Sequence, residues 1–152
     1  MNKLRFREGR STYMLTRRTA QDQYRLKANR KTRRVFLYCL AYAAAQVDIE
    51  LHALVIMSNY YQLLVSERSE VSDLSKFMMS LNGNVARILN YAYDAKQNFW
   101  STKPFEEVRL ETDKQVLNAL VELICNQEIE GLVDRPEKLP GFITHAQRVG
   151  NY

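Results

Sequence analysis

Two apolar runs rich in β-branched and aromatic residues, 49–57 (IELHALVIM) and 60–65 (YYQLLV), are separated only by Ser58 and Asn59. Runs of this kind joined by two turn-forming residues predict a β-hairpin, which commits the middle of the chain to an antiparallel sheet. Alternation along the second run puts Tyr60, Gln62 and Leu64 on one face and Tyr61, Leu63 and Val65 on the other. Two polar-tipped side chains, Tyr60 and Gln62, therefore share a face.

The flanking segments fit around this hairpin. Residues 12–18 (TYMLTRR) alternate as a strand, 19–23 form a loop and 24–27 a short extension, and 105–110 (FEEVRL) read as a further strand. A helix is expected over 29–47, where Val35, Tyr38, Cys39 and Tyr42 recur at three- and four-residue steps. A second helix runs from about Asp73 to Tyr91 with the stripe Leu74, Phe77, Leu81, Val85 and Ile88, capped by Asp73 or Ser72. Thr112, followed three residues later by Gln115, opens a third helix that fades by Gly131. The order strand, helix, hairpin, helix, strand, helix predicts an α+β fold: a ferredoxin-like antiparallel sheet with its helices packed on one face. At 152 residues the chain suits a single domain, with a core over about 11–142 and residues 143–152 as a tail that packs loosely or frays.

Charge divides the chain. Residues 1–34 carry twelve basic side chains (Lys3, Arg5, Arg7, Arg10, Arg17, Arg18, Arg25, Lys27, Arg30, Lys31, Arg33 and Arg34) against Glu8 and Asp22 alone, a local net charge of +10. The other 118 residues hold ten basic and fifteen acidic groups, or −5. A concentrated positive field is the footprint of a phosphate-binding surface, so nucleic acid is the leading partner. The plainer reading is a solvated basic face balanced by the acidic remainder, within the chain or across a homodimer. Basic side chains at the start of the first helix oppose its dipole by a few tenths of a kcal/mol each unless an anion offsets them, a conflict that favours a binding role. The longest apolar run, 35–45, is shorter than the ~20 residues needed to span a bilayer. A charged amino-terminal stretch without a secretory core, and only two cysteines, Cys39 and Cys125, without paired spacing, lead to the expectation of a cytoplasmic protein with reduced thiols.

The segment VIMSNYYQLLV, residues 55–65, resembles the signature of the Y1 (HUH-type) transposases of the IS200 and REP-associated tyrosine transposase type, where a hydrophobic strand leads into Met-Ser/Pro-Asn, His-aromatic-His and Leu-Leu-Val. TYMLTRRT (12–19), FLYCLAYAA (36–44), FMMSLNGNVARILN (77–90), QNFWST (97–102), VRLETDKQV (108–116) and NQEIEGLVDRPEKLPGF (126–142) resemble further segments of that family in the same order. The resemblance implies a scaffold in which two strand histidines and a helix amide hold Mg²⁺ or Mn²⁺ against a scissile phosphate. A tyrosine four residues before the amide attacks, leaving a 5′-phosphotyrosine on single-stranded DNA near a hairpin. Here the histidine positions are Tyr60 and Gln62, the amide is kept as Asn126, and the nucleophile position is Glu122. With both imidazoles and the phenol replaced, no metal or other cofactor and no intact catalytic residue are expected.

Three readings follow from this. In the first, the chain is a catalytically silenced, domesticated transposase-like protein that binds single-stranded or hairpin DNA through Arg17, Arg18, Arg30, Lys31, Arg33 and Arg34, with Arg109 as a further contact and Trp100 stacking on an unpaired base or anchoring the core rim. In the second, it is a protein-interaction or dimerisation module in which Tyr60, Tyr61 and Gln62 plug the former metal pocket. In the third, it is an active single-strand endonuclease with rewired ligands, drawing on Tyr60, Tyr91 or Tyr93 as nucleophile or on a metal site at His52. His52 and the distant His145 otherwise read as ordinary residues, His52 as partly buried and hydrogen-bonded, and Glu122 as solvent-facing or paired with an arginine.

Overall fold

The central hairpin forms where the two runs place it, and the rest of the sheet is assembled from its edges. In the computed structural model, which describes residues 10–129 and 143–144, with side chains described over 10–125, β1 (Thr12–Arg18), α1 (Arg30–Ala44), β2 (Ile49–Ile56), β3 (Tyr60–Glu67), α2 (Leu74–Ala92), β4 (Glu106–Leu110), α3 (Asp113–Ile129) and β5 (Ile143–Thr144) follow in order. The strands lie as β4-β1-β3-β2-β5, every pair antiparallel. The first four strands with α1 and α2 make the ferredoxin-like βαββαβ unit expected from the element order. Lys3, Arg5, Arg7 and His145 lie outside the described residues.

Two departures from the sequence reading matter for the site. First, the helices do not all share one face. Tyr13, Leu15, Leu54, Ile56, Tyr61, Leu63 and Val65 pack with Phe36, Leu40, Phe77, Leu81 and Val85 of α1 and α2, whereas Ala53, Val55 and Leu64 pack on the other side against Ala119 and Leu123 of α3. The reason lies in β3, where Leu63, Leu64 and Val65 are all completely buried. A central strand with apolar residues on both faces needs a layer on each. Second, Ile143 and Thr144, read as the start of the tail, pair with Val55 and Leu54 and extend the sheet. Loop 19–23 also contains a 3-10 turn, Ala20–Asp22.

The helix caps are mixed. The Thr112 hydroxyl accepts from Gln115 N (3.2 Å) while Gln115 Oε1 accepts from Thr112 N (3.3 Å) and Glu111 N (2.7 Å), the reciprocal cap that the spacing predicts. At α2, Asp73 occupies the cap position without making the bond. The buried Glu67 does so instead, its Oε1 accepting from Ser72 Oγ (2.7 Å), Asp73 N (3.0 Å) and Leu74 N (3.0 Å). Asn29 caps α1 by accepting from Thr32 N at 2.9 Å. Cys39 and Cys125 are free thiols, and burial pushes Cys39 above its usual pKa. Among the described residues no helix is long and apolar enough to cross a membrane.

Candidate functional site

Antiparallel register decides what stands beside Tyr60 and Gln62. Thr16 and Arg18 of β1 pair with Gln62 and Tyr60 of β3, so these four side chains share the face of the sheet that α3 covers. Gln62 Nε2 donates to Thr16 Oγ1 at 3.3 Å. The Arg18 guanidinium carbon lies 5.2 Å from the centre of the Tyr60 ring, and one of its nitrogens is 3.9 Å from Asp22. Thr16 was not among the residues singled out from sequence; only the strand register brings its hydroxyl to Gln62.

The same alternation separates Arg17 from Arg18. Arg17 pairs with Tyr61 and turns to the opposite face, where it donates to Lys103 O and places its guanidinium 5.7 Å from the Trp100 ring centre. Burial pushes the Arg17 pKa down from its usual value, with Tyr61 opposing the shift, though an arginine remains a cation at physiological pH. Trp100 is half-buried. Its Nε1–H donates to Asn82 O at 2.8 Å, and its ring stands edge-on to Tyr61 (5.6 Å) and Phe99 (4.7 Å). Tyr61 does not join Tyr60 and Gln62 in a plug: it is wholly buried among α1 and α2, edge-on to Phe36 at 4.9 Å, and its hydroxyl donates to Asn82 Oδ1 at 2.5 Å. Burial raises its pKa above that of an ordinary phenol.

The chain path gathers basic residues at one end of the sheet. Leu26 N donates to Ser58 O, Thr19 N to Asn59 O, and Ser101 N to Arg18 O, so the end of β1, the β2–β3 turn, the approach to α1 and the 95–104 loop are tied together. The start of α1 meets the end of α2 there, where Tyr93 Oη exchanges hydrogen bonds with Asn29 and lies 2.8 Å from Thr32 Oγ1. Arg18, Arg30, Lys31, Arg33 and Arg34 are exposed at this end. At the opposite end the cations are matched, Arg10 to Glu70 (3.2 Å) and Arg68 to Glu50 (3.1 Å). Arg109 does not join the basic end: it is paired with Tyr13, four residues along β1 from Arg17, or about 13 Å at ~3.3 Å per residue.

Of the remaining candidates, Glu122 is exposed on α3. Asn126 lies within α3, its side chain outside the described ones. His52 falls at the register shift in β2, half-buried, with Nε2 2.7 Å from Ser66 Oγ, which is itself 2.6 Å from Thr12 Oγ1. Tyr91 is exposed and, with Tyr93, belongs to the α1–α2 layer rather than to the Tyr60 face.

Residues 13–127, well over half of the chain, match the family described as "Transposase IS200 like". The chain belongs to the IS200-like transposase family. No curated protein is significantly similar to it. Among solved structures, a REP-associated tyrosine transposase bound to a REP hairpin superposes with a TM-score of 0.71 at 15% identity, over 99% of this chain and 87% of that one. A protein of Deinococcus radiodurans R1 described as a transposase superposes with a TM-score of 0.54 at 21% identity, over 86% of this chain and 97% of that one. Both likenesses concern the fold.

In this IS200-like transposase, the donors that Tyr60 and Gln62 present do not fit a divalent cation. Tyr60 offers a phenol, and Gln62 a neutral amide already bonded to Thr16. The Arg18 guanidinium over Tyr60 places a permanent positive charge beside them, which repels a second cation. Among the described residues no three His, Cys, Asp or Glu side chains are grouped so as to hold a metal ion.

Proposed function

We propose that this IS200-like transposase is a DNA-binding protein that grips single-stranded or hairpin DNA with its basic end and does not cut it by the metal-and-tyrosine route of its family. The observation that carries this reading is the group on one face of the sheet: the Arg18 guanidinium beside Tyr60, Gln62 and Thr16, a donor set unfit for a divalent cation. A guanidinium offers planar paired donors to phosphate oxygens and needs no cofactor to do so. Arg30, Lys31, Arg33 and Arg34, exposed at the start of α1, add charge at the same end of the sheet. A phosphate there offsets both their mutual repulsion and their opposition to the helix dipole. The hairpin in the complex of the REP-associated relative, whose fold this chain shares, supports structured DNA as the ligand.

Gel-shift and covalent-adduct assays on one 5′-labelled DNA hairpin test both halves of the reading. Binding of equal strength in EDTA, Mg²⁺ and Mn²⁺, with no protein–DNA adduct resistant to denaturation, is the expected result. An adduct formed with either metal overturns the inactive reading, and an absence of binding at low salt overturns the DNA reading. Arg18→Gln is expected to weaken binding about tenfold, as loss of one charge-assisted contact does.

A further inference from the structure

The helical layers on the two sides of the sheet carry opposite charge. α1 and α2 together hold six basic side chains, Arg30, Lys31, Arg33, Arg34, Lys76 and Arg87, and no acidic one. Across the sheet, residues 106–125, which contain β4 and most of α3, hold five acidic groups (Glu106, Glu107, Glu111, Asp113 and Glu122) against Arg109 and Lys114.

Both layers also leave large apolar side chains open to solvent. These are Tyr38, Tyr42, Met79 and Tyr91 on α1 and α2, and Val108, Leu117 and Val121 on β4 and α3. Apolar groups gathered on a surface and rimmed by charge mark a place of contact. The Tyr38 and Tyr42 rings, one helical turn apart, are stacked with their centres 6.4 Å apart, so they form a preordered ledge. Leu117 and Val121, also one turn apart, make the outer side of α3 apolar although its inner side is already spent on Ala53, Val55 and Leu64.

Gly83 gives the first layer its shape. It is exposed in the middle of α2, one turn from Met79 on one side and from Arg87 on the other. Glycine is among the poorest helix formers, yet an added Cβ here would meet nothing within 4 Å, so no contact inside the chain calls for it. What the missing side chain provides is a notch in which the backbone of a second helix can approach closely.

We infer that the α1–α2 layer of one copy docks on the α3–β4 layer of another, with the Leu117–Val121 side of α3 seated at Gly83 and Glu122 set against Arg87. The chain itself supplies the partner with the matching charge and the unspent apolar helix. Because two different patches meet from opposite sides of the sheet, the contact is heterologous: each added copy leaves one free layer at either end, and the assembly grows beyond a pair. The inference stands apart from the DNA-binding reading and uses none of the residues at the Tyr60 face.

Sedimentation velocity of the full chain without DNA, from about 5 to about 300 µM, tests it. The average mass is expected to rise past that of a dimer with concentration, and to fall back toward the monomer in ~0.5 M salt as the charges are screened. Gly83→Gln and Val121→Lys, both at exposed positions, are each expected to weaken self-association at least about tenfold. Gly83→Gln is also expected to raise the melting temperature of the monomer, since glutamine is the better helix former, which separates lost docking from lost folding. The two variants spoil different layers. Mixed in equal amounts, they are expected to form a one-to-one dimer with native affinity and to stop there. A chain that stays monomeric throughout overturns the inference. So does a dimer that never grows and is indifferent to Val121→Lys, which makes the contact symmetric, and so does a mixture no stronger than either variant alone. A monomer whose Tyr38 and Arg87 NMR signals shift with polyglutamate gives the α1–α2 layer to an acidic partner other than this chain and overturns it as well.

Discussion

At the scale of single residues, His52 carries the clearest dependence on pH. Burial lowers its pKa below the ordinary 6.5, with Glu50 raising it and Arg68 lowering it again. A histidine whose folded pKa is depressed contributes stability that is complete above its unfolded pKa and is lost as pH falls through 6.5 toward the folded value. Urea unfolding of the native chain is therefore expected to show a larger drop in midpoint between pH 7.5 and pH 5 than that of His52→Gln; equal drops assign the pH dependence elsewhere. Tyr61 and Tyr60, adjacent in sequence, face opposite sides of the sheet and have different roles. Removing the buried hydroxyl in Tyr61→Phe leaves Asn82 Oδ1 without its donor at 2.5 Å and is expected to cost about 1–2 kcal/mol in chemical denaturation. The shared face of Tyr60 and Gln62 was legible in sequence. Their partners were not, because Thr16 and Arg18 reach Gln62 and Tyr60 only through the register of two strands more than forty residues apart.

Among the elements, the start of α2 shows where local sequence rules give way to tertiary contacts. Asp73 has the right chemistry and position for a cap, yet Glu67 at the end of β3 reaches the free N–H groups first, from within the protein. Glu67→Ala is expected to lower stability by about 2 kcal/mol, since it leaves buried donors unmatched, while Asp73→Ala changes it by less than about 0.5 kcal/mol. Thermal or urea unfolding of the two variants decides the order, and a larger loss in Asp73→Ala contradicts the assignment. The third helix illustrates the complementary case. Its cap at Thr112 and Gln115 was readable because both partners are three residues apart, but the face it covers was not. Its burial rests on Ala119 and Leu123 against Ala53, Val55 and Leu64. Leu123→Ala is expected to cost about 2–3 kcal/mol, measured in the same way.

For the molecule as a whole, the end-to-end segregation of charge is the feature that a polyanion would sense. Six cations, Arg17, Arg18, Arg30, Lys31, Arg33 and Arg34, neutralising phosphates predict a fall in DNA affinity of about a hundred- to a thousandfold between ~50 and ~200 mM salt. Reversing Arg33 and Arg34 to glutamate is expected to weaken binding to hairpins of unrelated sequence by similar factors and to flatten that salt dependence. Sequence-selective loss, or an unchanged slope, argues against phosphate contacts at α1. Arg17 enters this set with a smaller share than the string of basic residues suggests, because it is half-buried against Trp100 and bonded to Lys103 O. Trp100 is likewise held by Asn82 O and two aromatic neighbours, which makes it a fixed wall rather than a swinging ring.

What the chain states on its own is local or periodic: the hairpin at Ser58–Asn59, the three helical stripes, the cap at Thr112, the excess of arginine before residue 35, and a resemblance to a family carried by short collinear segments. These follow from spacing and residue type, which a linear string preserves. Tertiary structure decided the rest. Strand alternation sent Arg17 and Arg18 to opposite faces, and a central strand apolar on both sides drew α3 to the second. The approach of loops distant in sequence set Arg25 beside Gln97, 72 residues away. Each of these depends on which segments become neighbours, and that is fixed by burial and register across the sheet rather than by any short stretch of the chain.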